Sequence, residues 1–194
     1  MPKDAIIGVS DHGGWAVLVT ATRDGTFLDR RRVELVDASL PKIPHHSEAQ
    51  RLPIEEAVKL VERVQASAER HAKLVLEATA KEIPANILGI ALRQCPELPP
   101  AIAERITNYR ASNVADWVMY RQAIAAAAEA RGWLVHWFDP KKVEGLANKA
   151  LASKALGVKN LDAHFAQLRR SLGPPWSQDH KMAMAAAIAT LNAH

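Results

Sequence analysis

The sequence predicts an α/β domain in which a mixed five-stranded sheet carries helices on both faces. The first observation is that residues 5–36 have the pattern of three strands joined by two turns, an antiparallel meander. The second is that two short apolar runs, residues 87–92 and 133–138, each follow a helical pattern. Because strand–helix–strand connections are right-handed almost without exception, this order leaves few other topologies.

The meander is predicted from three strand-like runs of residues and the turns between them. Residues 5–9 are a continuous apolar run, which is typical of a buried strand. Residues 11–14 (Asp-His-Gly-Gly) break the run, and residues 15–22 resume with β-branched and aromatic side chains. Gly25 indicates a hairpin turn, since glycine tolerates positive φ. Residues 27–36 then alternate between apolar and charged side chains, which completes the third strand.

The first helix is predicted between Pro53 and Pro84. Proline is tolerated in the first turn of a helix, where its missing N–H has no partner to lose. Small and apolar residues recur at helical spacing on one face: Ala57, Leu60, Val61, Val64, Ala68, His71, Leu74, Val75 and Ala78.

Helices are predicted to make up most of the remaining chain. The second helix spans residues 101–108, and the third runs from a cap at Ser112 or Asn113 to Gly132. The fourth runs from Asp139 to about Leu151, and the fifth spans residues 161–172 after a cap at Asn160. The last begins at Ser177 and continues to the C-terminus.

Composition points to one soluble globular domain over residues 1–194, with 48% hydrophobic and 24% charged residues. Cys95 is the only cysteine, so an internal disulfide and a multi-cysteine metal site are excluded. The longest uncharged apolar run, residues 182–191, is too short to cross a bilayer, and the N-terminus lacks the apolar core of a signal peptide. We therefore expect a cytoplasmic protein without a membrane partner.

The net charge of +4 is located in the last quarter of the chain. Residues 139–194 contain 8 Lys and Arg against 4 Asp and Glu, whereas residues 1–138 contain 17 of each. A basic segment favours contact with nucleic acid, because Lys and Arg neutralise phosphates. A solvated, slightly basic helical face is the alternative interpretation.

Three stretches resemble the RuvC type of Holliday-junction resolvase, within the ribonuclease H-like superfamily. Residues 6–9 (Ile-Ile-Gly-Val) resemble the opening strand of that family, and residues 182–189 resemble its alanine-rich closing helix. Lys159, before the helix that carries Arg169 and Arg170, lies where these resolvases also have a basic residue. The resemblance covers the layout of nearly the whole chain and implies a ribonuclease H-like sheet.

The family implies hydrolysis of nucleic-acid phosphodiester bonds by water, with two Mg²⁺ or Mn²⁺ ions held by acidic or His side chains. It also implies a nucleic-acid partner, DNA rather than RNA, and a homodimer. Carried onto this chain, the catalytic group is Asp11, Glu97, Asp179 and His180, with Asp11 and Asp179 as the metal ligands. Nucleic acid is then expected at Arg93, Lys159, Arg169 and Arg170.

The chain departs from the family pattern at the ligand positions. Where the family has its first acid the chain has Ser10, and Asp11 comes one residue later. A slip of one residue turns a side chain to the opposite face of a sheet unless the strand bulges. Arg93 and Gln94 end the fourth strand, where the family has a Glu, and Met182 replaces the second acid of the last helix.

Two functions therefore remain open. One is a divergent metal-dependent nuclease; the other is a non-catalytic nucleic-acid-binding or assembly module that kept the sheet and the basic C-terminal part. Arg93, at the end of a central strand, suits a phosphate or carboxylate better than a metal. Arg30 and Arg32 are expected on one face of the third strand and Arg31 on the other. The tryptophans are interpreted either as core residues or as platforms for bases: Trp15, Trp117, Trp133, Trp137 and Trp176.

Two further interpretations concern single segments. His45, His46 and Glu48 supply donors for a metal, but they lack a third fixed ligand, and a polar loop is the favoured interpretation. Residues 11–14 resemble the phosphate loop of actin-like kinases and ATPases, which would require a second lobe that 194 residues do not provide.

Overall fold

The sheet has the strand order and directions of the ribonuclease H-like fold. The computed structural model describes residues 2–152 and 160–190. Its strands are β1 (Lys3–His12), β2 (Trp15–Thr22), β3 (Phe27–Glu34), β4 (Ala85–Arg93) and β5 (Leu134–Phe138). They lie in the order β3-β2-β1-β4-β5; the first three strands of the chain are antiparallel, and β4 and β5 run parallel to β1. The predicted fold class is confirmed.

Six helices are seen in the described residues, together with a short 3-10 helix at Glu48–Arg51. They are α1 (Ile54–Glu82), α2 (Ile102–Thr107), α3 (Tyr109–Glu129), α4 (Val143–Ala152), α5 (Leu161–Leu172) and α6 (Gln178–Thr190). None of the described helices is both long enough and apolar enough to span a membrane.

Side chains alternate along β1 between two faces of the sheet, and each face has its own core. Ile7 and Val9 pack in the core formed with α1 and α3, on what we call the α3 face. Ile6 packs in the core formed with α4, α5 and α6, on the α6 face. The residues at the end of β1 follow the same alternation, so Asp11 lies on the α3 face and both Ser10 and His12 lie on the α6 face.

Helix α6 lies against β1 at very short range. A Cβ atom at Gly8 would overlap the carbonyl oxygen of Ala183 and lie 2.8 Å from the backbone nitrogen of Ala187. Alanine is the side chain that lets a helix approach a strand so closely and also pack against α4. Four alanines of α6 are buried: Ala183, Ala185, Ala186 and Ala187.

The loop between β3 and α1 is held by a buried carboxylate on α3. Asp116 is fully buried and accepts hydrogen bonds from the backbone N–H groups of His45 and His46, each at 3.1 Å. The Nδ1 atom of His45 also donates to Asp116, at 2.8 Å. One helix turn later, the Tyr120 hydroxyl donates to the Lys42 carbonyl at 2.7 Å. His45 is therefore a buried anchor, whereas the sequence suggested either a metal ligand or a polar loop.

Two local predictions are wrong. Helix α3 begins earlier than expected, because the Asn108 side chain caps it by accepting from the backbone N–H groups of Arg110 and Ala111. Ser112 therefore lies inside the helix. On α1, Leu74 is 57% exposed, so it does not belong to the buried face on which the spacing placed it.

Replacing Gly8 by alanine tests the close packing of β1 on α6. We expect Gly8→Ala to lower the free energy of unfolding by about 3 kcal/mol or more, the upper end of overpacking effects, because the new methyl group meets backbone atoms that cannot rotate away. Urea denaturation measures this change. The matched control is Gly145→Ala in α4, where nothing lies within 4 Å of the new Cβ. That substitution should raise stability by roughly 0.5–1 kcal/mol through helix propensity. Equal effects at both positions would contradict the packing described.

Candidate nucleic-acid interface

Asp11 is paired within the α3 face. Its Oδ2 atom accepts a hydrogen bond of 2.8 Å from Nε of Arg121, and the two side chains are only 2% and 7% exposed. Arg121 also donates from Nη1 to the carbonyl of Gln94 at 3.3 Å, at the end of β4. The carboxylate of Asp11 is thus neutralised by a buried guanidinium, which ties α3 to the ends of β1 and β4.

Asp179 is paired on the opposite face, at the first turn of α6. Its Oδ1 atom accepts from the Ser10 hydroxyl at 3.0 Å and from Nε2 of His12 at 2.8 Å. Because a carboxylate only accepts, His12 must carry its proton on Nε2. Asp179 retains 29% side-chain exposure. The network joins the end of β1 to the N-terminus of α6.

His180 helps to cap α6. Its Nδ1 atom accepts from the backbone N–H of Ser177 at 3.1 Å and lies 2.8 Å from the Ser177 hydroxyl. This is the geometry of a capping box with His in the place of Glu or Gln. Burial lowers the pKa of His180 below its usual 6.5, the nearby Arg30 lowers it further, and Asp179 opposes both effects. The neutral ring that results is the form that can accept at Nδ1.

The side chains on the α6 face do not fit two metal ions. Such a site needs several carboxylate oxygens that converge. At the family's positions this face presents Ser10 on β1, Arg93 on β4, and Asp179 and Met182 on α6. Within residues 2–152 and 160–190 no group of three His, Cys, Asp or Glu side chains could hold a metal. A guanidinium beside a single engaged carboxylate suits an anion better than a divalent cation.

A planar stack lies at the edge of the same face. The His12 and Trp15 rings are parallel within 6° and 4.0 Å apart, and the Arg32 guanidinium lies 4.0 Å from the indole. Because β2 lies between β1 and β3, Trp15 is held between the other two side chains. His12 is 37% and Arg32 56% exposed, and Arg32 is also paired with Glu34 at 3.1 Å. The stack therefore offers two fixed planar groups to solvent.

A second aromatic and basic cluster lies near the start of α6. His12 is hydrogen-bonded to Asp179, and the buried ring of the next residue, His180, lies 5.7 Å from that of Trp176. Trp176 shares a cavity with Arg169, Arg170 and Lys181. We call these two clusters together the cation–aromatic strip; its members are His12, Trp15, Arg32, Arg169, Arg170, Trp176 and Lys181.

Arg30 contacts both the connection between α5 and α6 and the Trp176 ring of the strip. Its guanidinium donates to the carbonyl oxygens of Leu172, Gly173 and Pro174 at 3.1–3.3 Å, and lies 5.9 Å from the Trp176 ring. It thereby holds the connection between α5 and α6. Arg31 points to the other face, where it pairs with Asp29 and Glu82, so the predicted alternation of the three arginines is confirmed.

The turn at residues 13–14 is covered rather than open. A Cβ at Gly13 would lie 2.6 Å from the Ile43 side chain, and one at Gly14 would lie 2.9 Å from Lys42. Gly14 has a φ of +79°, as the tight β1–β2 turn requires. This packing leaves no cradle for a phosphate of the kind that the glycines suggested.

The predicted site residues thus fall into separate groups. Asp179 and His180 lie together at the start of α6, whereas Asp11 is on the opposite face and Glu97 is exposed in the loop after β4. Arg93 lies on the α6 face, and Arg169 and Arg170 belong to the strip; Lys159 lies outside the described residues.

Sequence reasoning did not single out Ser10, His12 and Lys181 as site residues. Alternation from Gly8 along β1 was the available signal for Ser10 and His12, since every second residue shares its face. No local pattern indicated that Arg121 would pair with Asp11, which is 110 residues away.

Comparisons with known proteins give structural similarity only. No protein-family model matches the sequence, and no curated protein matches it. Among solved structures, the T. thermophilus RuvC in complex with Holliday junction substrate is 14% identical, with a TM-score of 0.47 over 95% of this chain and 90% of that chain. A second Thermus thermophilus RuvC structure is 15% identical, with a TM-score of 0.46 over 95% and 92%. The fold assignment rests on the strand order and directions of the sheet.

Removing one partner of the buried pair tests the assignment of Asp11. We expect Asp11→Ala to lower the free energy of unfolding by about 3–5 kcal/mol, because it leaves the Arg121 charge buried and unpaired. The double variant Asp11→Ala/Arg121→Met should lose less than the sum of the two single variants, in a denaturant-unfolding cycle. Glu97→Ala serves as the control and should change stability by less than about 0.5 kcal/mol, since its side chain is exposed. An Asp11→Ala variant more stable than the parent would instead indicate repulsion among unneutralised carboxylates, as in an empty metal site.

The low pKa of His180 predicts a loss of stability in mild acid. A pKa that is lowered in the folded state stabilises the protein above the unfolded value of 6.5, and this contribution is lost as the pH falls below it. His164, whose pKa is also lowered by burial, acts in the same direction. His180→Gln keeps an acceptor for the Ser177 N–H and removes the titration. Unfolding curves at pH 7.5 and pH 5 should therefore differ less for His180→Gln than for the parent; an unchanged difference would contradict this role.

Proposed function

We propose that this chain is a ribonuclease H-like nucleic-acid-binding module that works without two-metal catalysis. The observation that carries the proposal is the cation–aromatic strip beside Asp179. It occupies the face of the sheet on which the family resemblance places metal ligands, and it combines four cations with two tryptophans and a histidine. Arg93 adds a further guanidinium on that face.

The strip has the chemistry that single-stranded nucleic acid requires. Arginine and lysine bind phosphates and release counterions, and this electrostatic contribution to the binding free energy does not depend on the base sequence. Planar groups stack on bases, and guanidinium planes do so as well as aromatic rings. Trp15 stacks in parallel on the His12 ring and contacts the Arg32 guanidinium before any ligand arrives, so little side-chain entropy is lost when a base stacks on either of them.

A metal-dependent nuclease is the second candidate, and the geometry supports it less well. It would require Asp11 and Asp179 to share ions, but the two carboxylates lie on opposite faces and each already has partners. Catalysis through Asp11 would require the buried ion pair with Arg121 to break and the end of β1 to turn over. DNA, the partner that the resemblance implies, is the first nucleic acid to test.

Fluorescence anisotropy with a labelled 20-nucleotide single strand tests the binding role. We expect salt-dependent binding that is the same in EDTA and in Mn²⁺, with no cleavage of the strand. Arg32→Ala should weaken binding about tenfold, which is roughly 1.4 kcal/mol and the low end of one base-stacking contact.

The matched control is Arg63→Ala, which removes an exposed arginine from α1 on the far side of the sheet and should leave affinity unchanged. No binding to single-stranded or duplex DNA or RNA would contradict the proposal. Mn²⁺-dependent cleavage that Asp179→Ala abolishes would support the nuclease instead. The homodimer implied by the resemblance stays a prediction, which sedimentation velocity on the same samples tests.

A further inference from the structure

A cavity of about 290 Å³ lies between α5 and the start of α6, at one end of the cation–aromatic strip. Its walls include Asp162, Phe165, Arg169, Arg170, Trp176 and Lys181. The volume is well above that of a phosphate group, so the cavity has room for a phosphate together with part of the group it is attached to.

The charged side chains of this cavity have no partners among the residues that the structure describes. Arg169, Arg170, Lys181 and Asp162 form no side-chain ion pair or hydrogen bond within the part of the chain that the structure describes. Three cations and one carboxylate give the walls a net charge of +2. By contrast, the guanidinium of Arg30 donates hydrogen bonds to the carbonyl oxygens of Leu172 and Gly173 at the end of α5. The cavity therefore holds an excess of positive charge that nothing in the described fold neutralises.

Trp176 forms a fixed wall of the cavity. Its ring packs against Phe27 and Phe165, each with centroids 6.2 Å away, and against His180. Its indole Nε1 atom is buried and has no acceptor within the described residues. A buried N–H without a partner is rare in folded proteins.

We infer that this cavity binds a phosphomonoester dianion, carried either on the end of a nucleic-acid strand or on a nucleoside monophosphate. A phosphomonoester has a charge of about −1.5 to −2 at pH 7 and three acceptor oxygens. That charge matches the +2 of the walls, whereas an internal phosphodiester brings only one negative charge. Adjacent arginines bind such a group with paired N–H donors, and Lys181 completes the set. For the strand end, the inference rests on the proposed function.

The test compares matched ligands that differ in one phosphate. Anisotropy is measured with a 10-nucleotide DNA strand ending in a 5′-phosphate, a 3′-phosphate or hydroxyls only, and calorimetry compares adenosine monophosphate with adenosine. We expect one phosphorylated strand end, or the monophosphate, to bind at least about tenfold more tightly than its hydroxyl counterpart. The strand-end arm and the nucleoside arm distinguish the two sources.

Three variants locate the effect. Arg170→Ala/Lys181→Ala should bring the ratio of affinities for phosphate and hydroxyl ends close to one. Asp162→Asn should raise the affinity for the phosphorylated ligand about threefold, because it removes the one carboxylate among the described residues of the cavity wall; a gain of affinity cannot arise from loss of folding. Arg63→Ala should leave the ratio unchanged.

The two proposals fail in different ways. If the hydroxyl-ended strand binds but no phosphate improves binding in either arm, the inference is overturned and the proposed function stands. If no single-stranded or duplex DNA or RNA binds while adenosine monophosphate does, and Arg170→Ala/Lys181→Ala abolishes that binding, the cavity is confirmed and the proposed function fails. A phosphate preference that survives Arg170→Ala/Lys181→Ala and does not respond to Asp162→Asn would also overturn the inference.

Discussion

The alternation of side chains along β1 is the constraint on which the rest of the site depends. Consecutive residues of a strand point to opposite faces, so Asp11 and its neighbours Ser10 and His12 cannot act together. Asp11 meets α3 and Ser10 meets α6, and the register of β1 with β2 fixes this assignment at the end of the strand. A bulge near residue 10 would have reversed it, but β1 pairs with β2 without interruption from Ala5 to His12.

Buried polar contacts hold the scaffold of the site in place. Asp116, Tyr120 and Arg121 lie on one side of α3 and bind, respectively, the loop at His45, the carbonyl of Lys42 and the carboxylate of Asp11. Each is almost fully buried, and a buried polar group is destabilising unless it is paired. These contacts therefore make the positions of the β1 end and the neighbouring loop depend on one helix. The end of β1, which these contacts hold in place, also carries His12 of the strip on the opposite face.

The side chains of the site fit the requirements of anion binding better than those of metal-dependent catalysis. Two-metal hydrolysis needs unpaired carboxylates, and here Asp11 and Asp179 both have donors close to them. Binding needs cations without partners and planar groups; within the described residues, Arg169, Arg170 and Lys181 are such cations, and the Trp15 stack supplies planar groups. The same fold thus presents, on the face where the resemblance places metal ligands, side chains suited to phosphate and bases. The stack at Trp15 and the cavity beside Trp176 differ in chemistry, since the first offers planar groups and the second offers cations.

The sequence by itself determined the order and type of the main elements, because strand runs, glycine turns and helix caps are local signals that act within a few residues. It also placed Arg30 and Arg32 on one face and identified Arg169 and Arg170 as candidate cations. Only the tertiary structure decided what Asp11 does, since its partner Arg121 is far along the chain, and it alone brought Trp176 and Lys181 to Arg169 and Arg170. The cap of α3 was missed because Asn108, Ser112 and Asn113 are all good caps, and packing against the sheet selects where the helix begins. Local patterns fix elements; side-chain partners depend on long-range packing that no short stretch of sequence records.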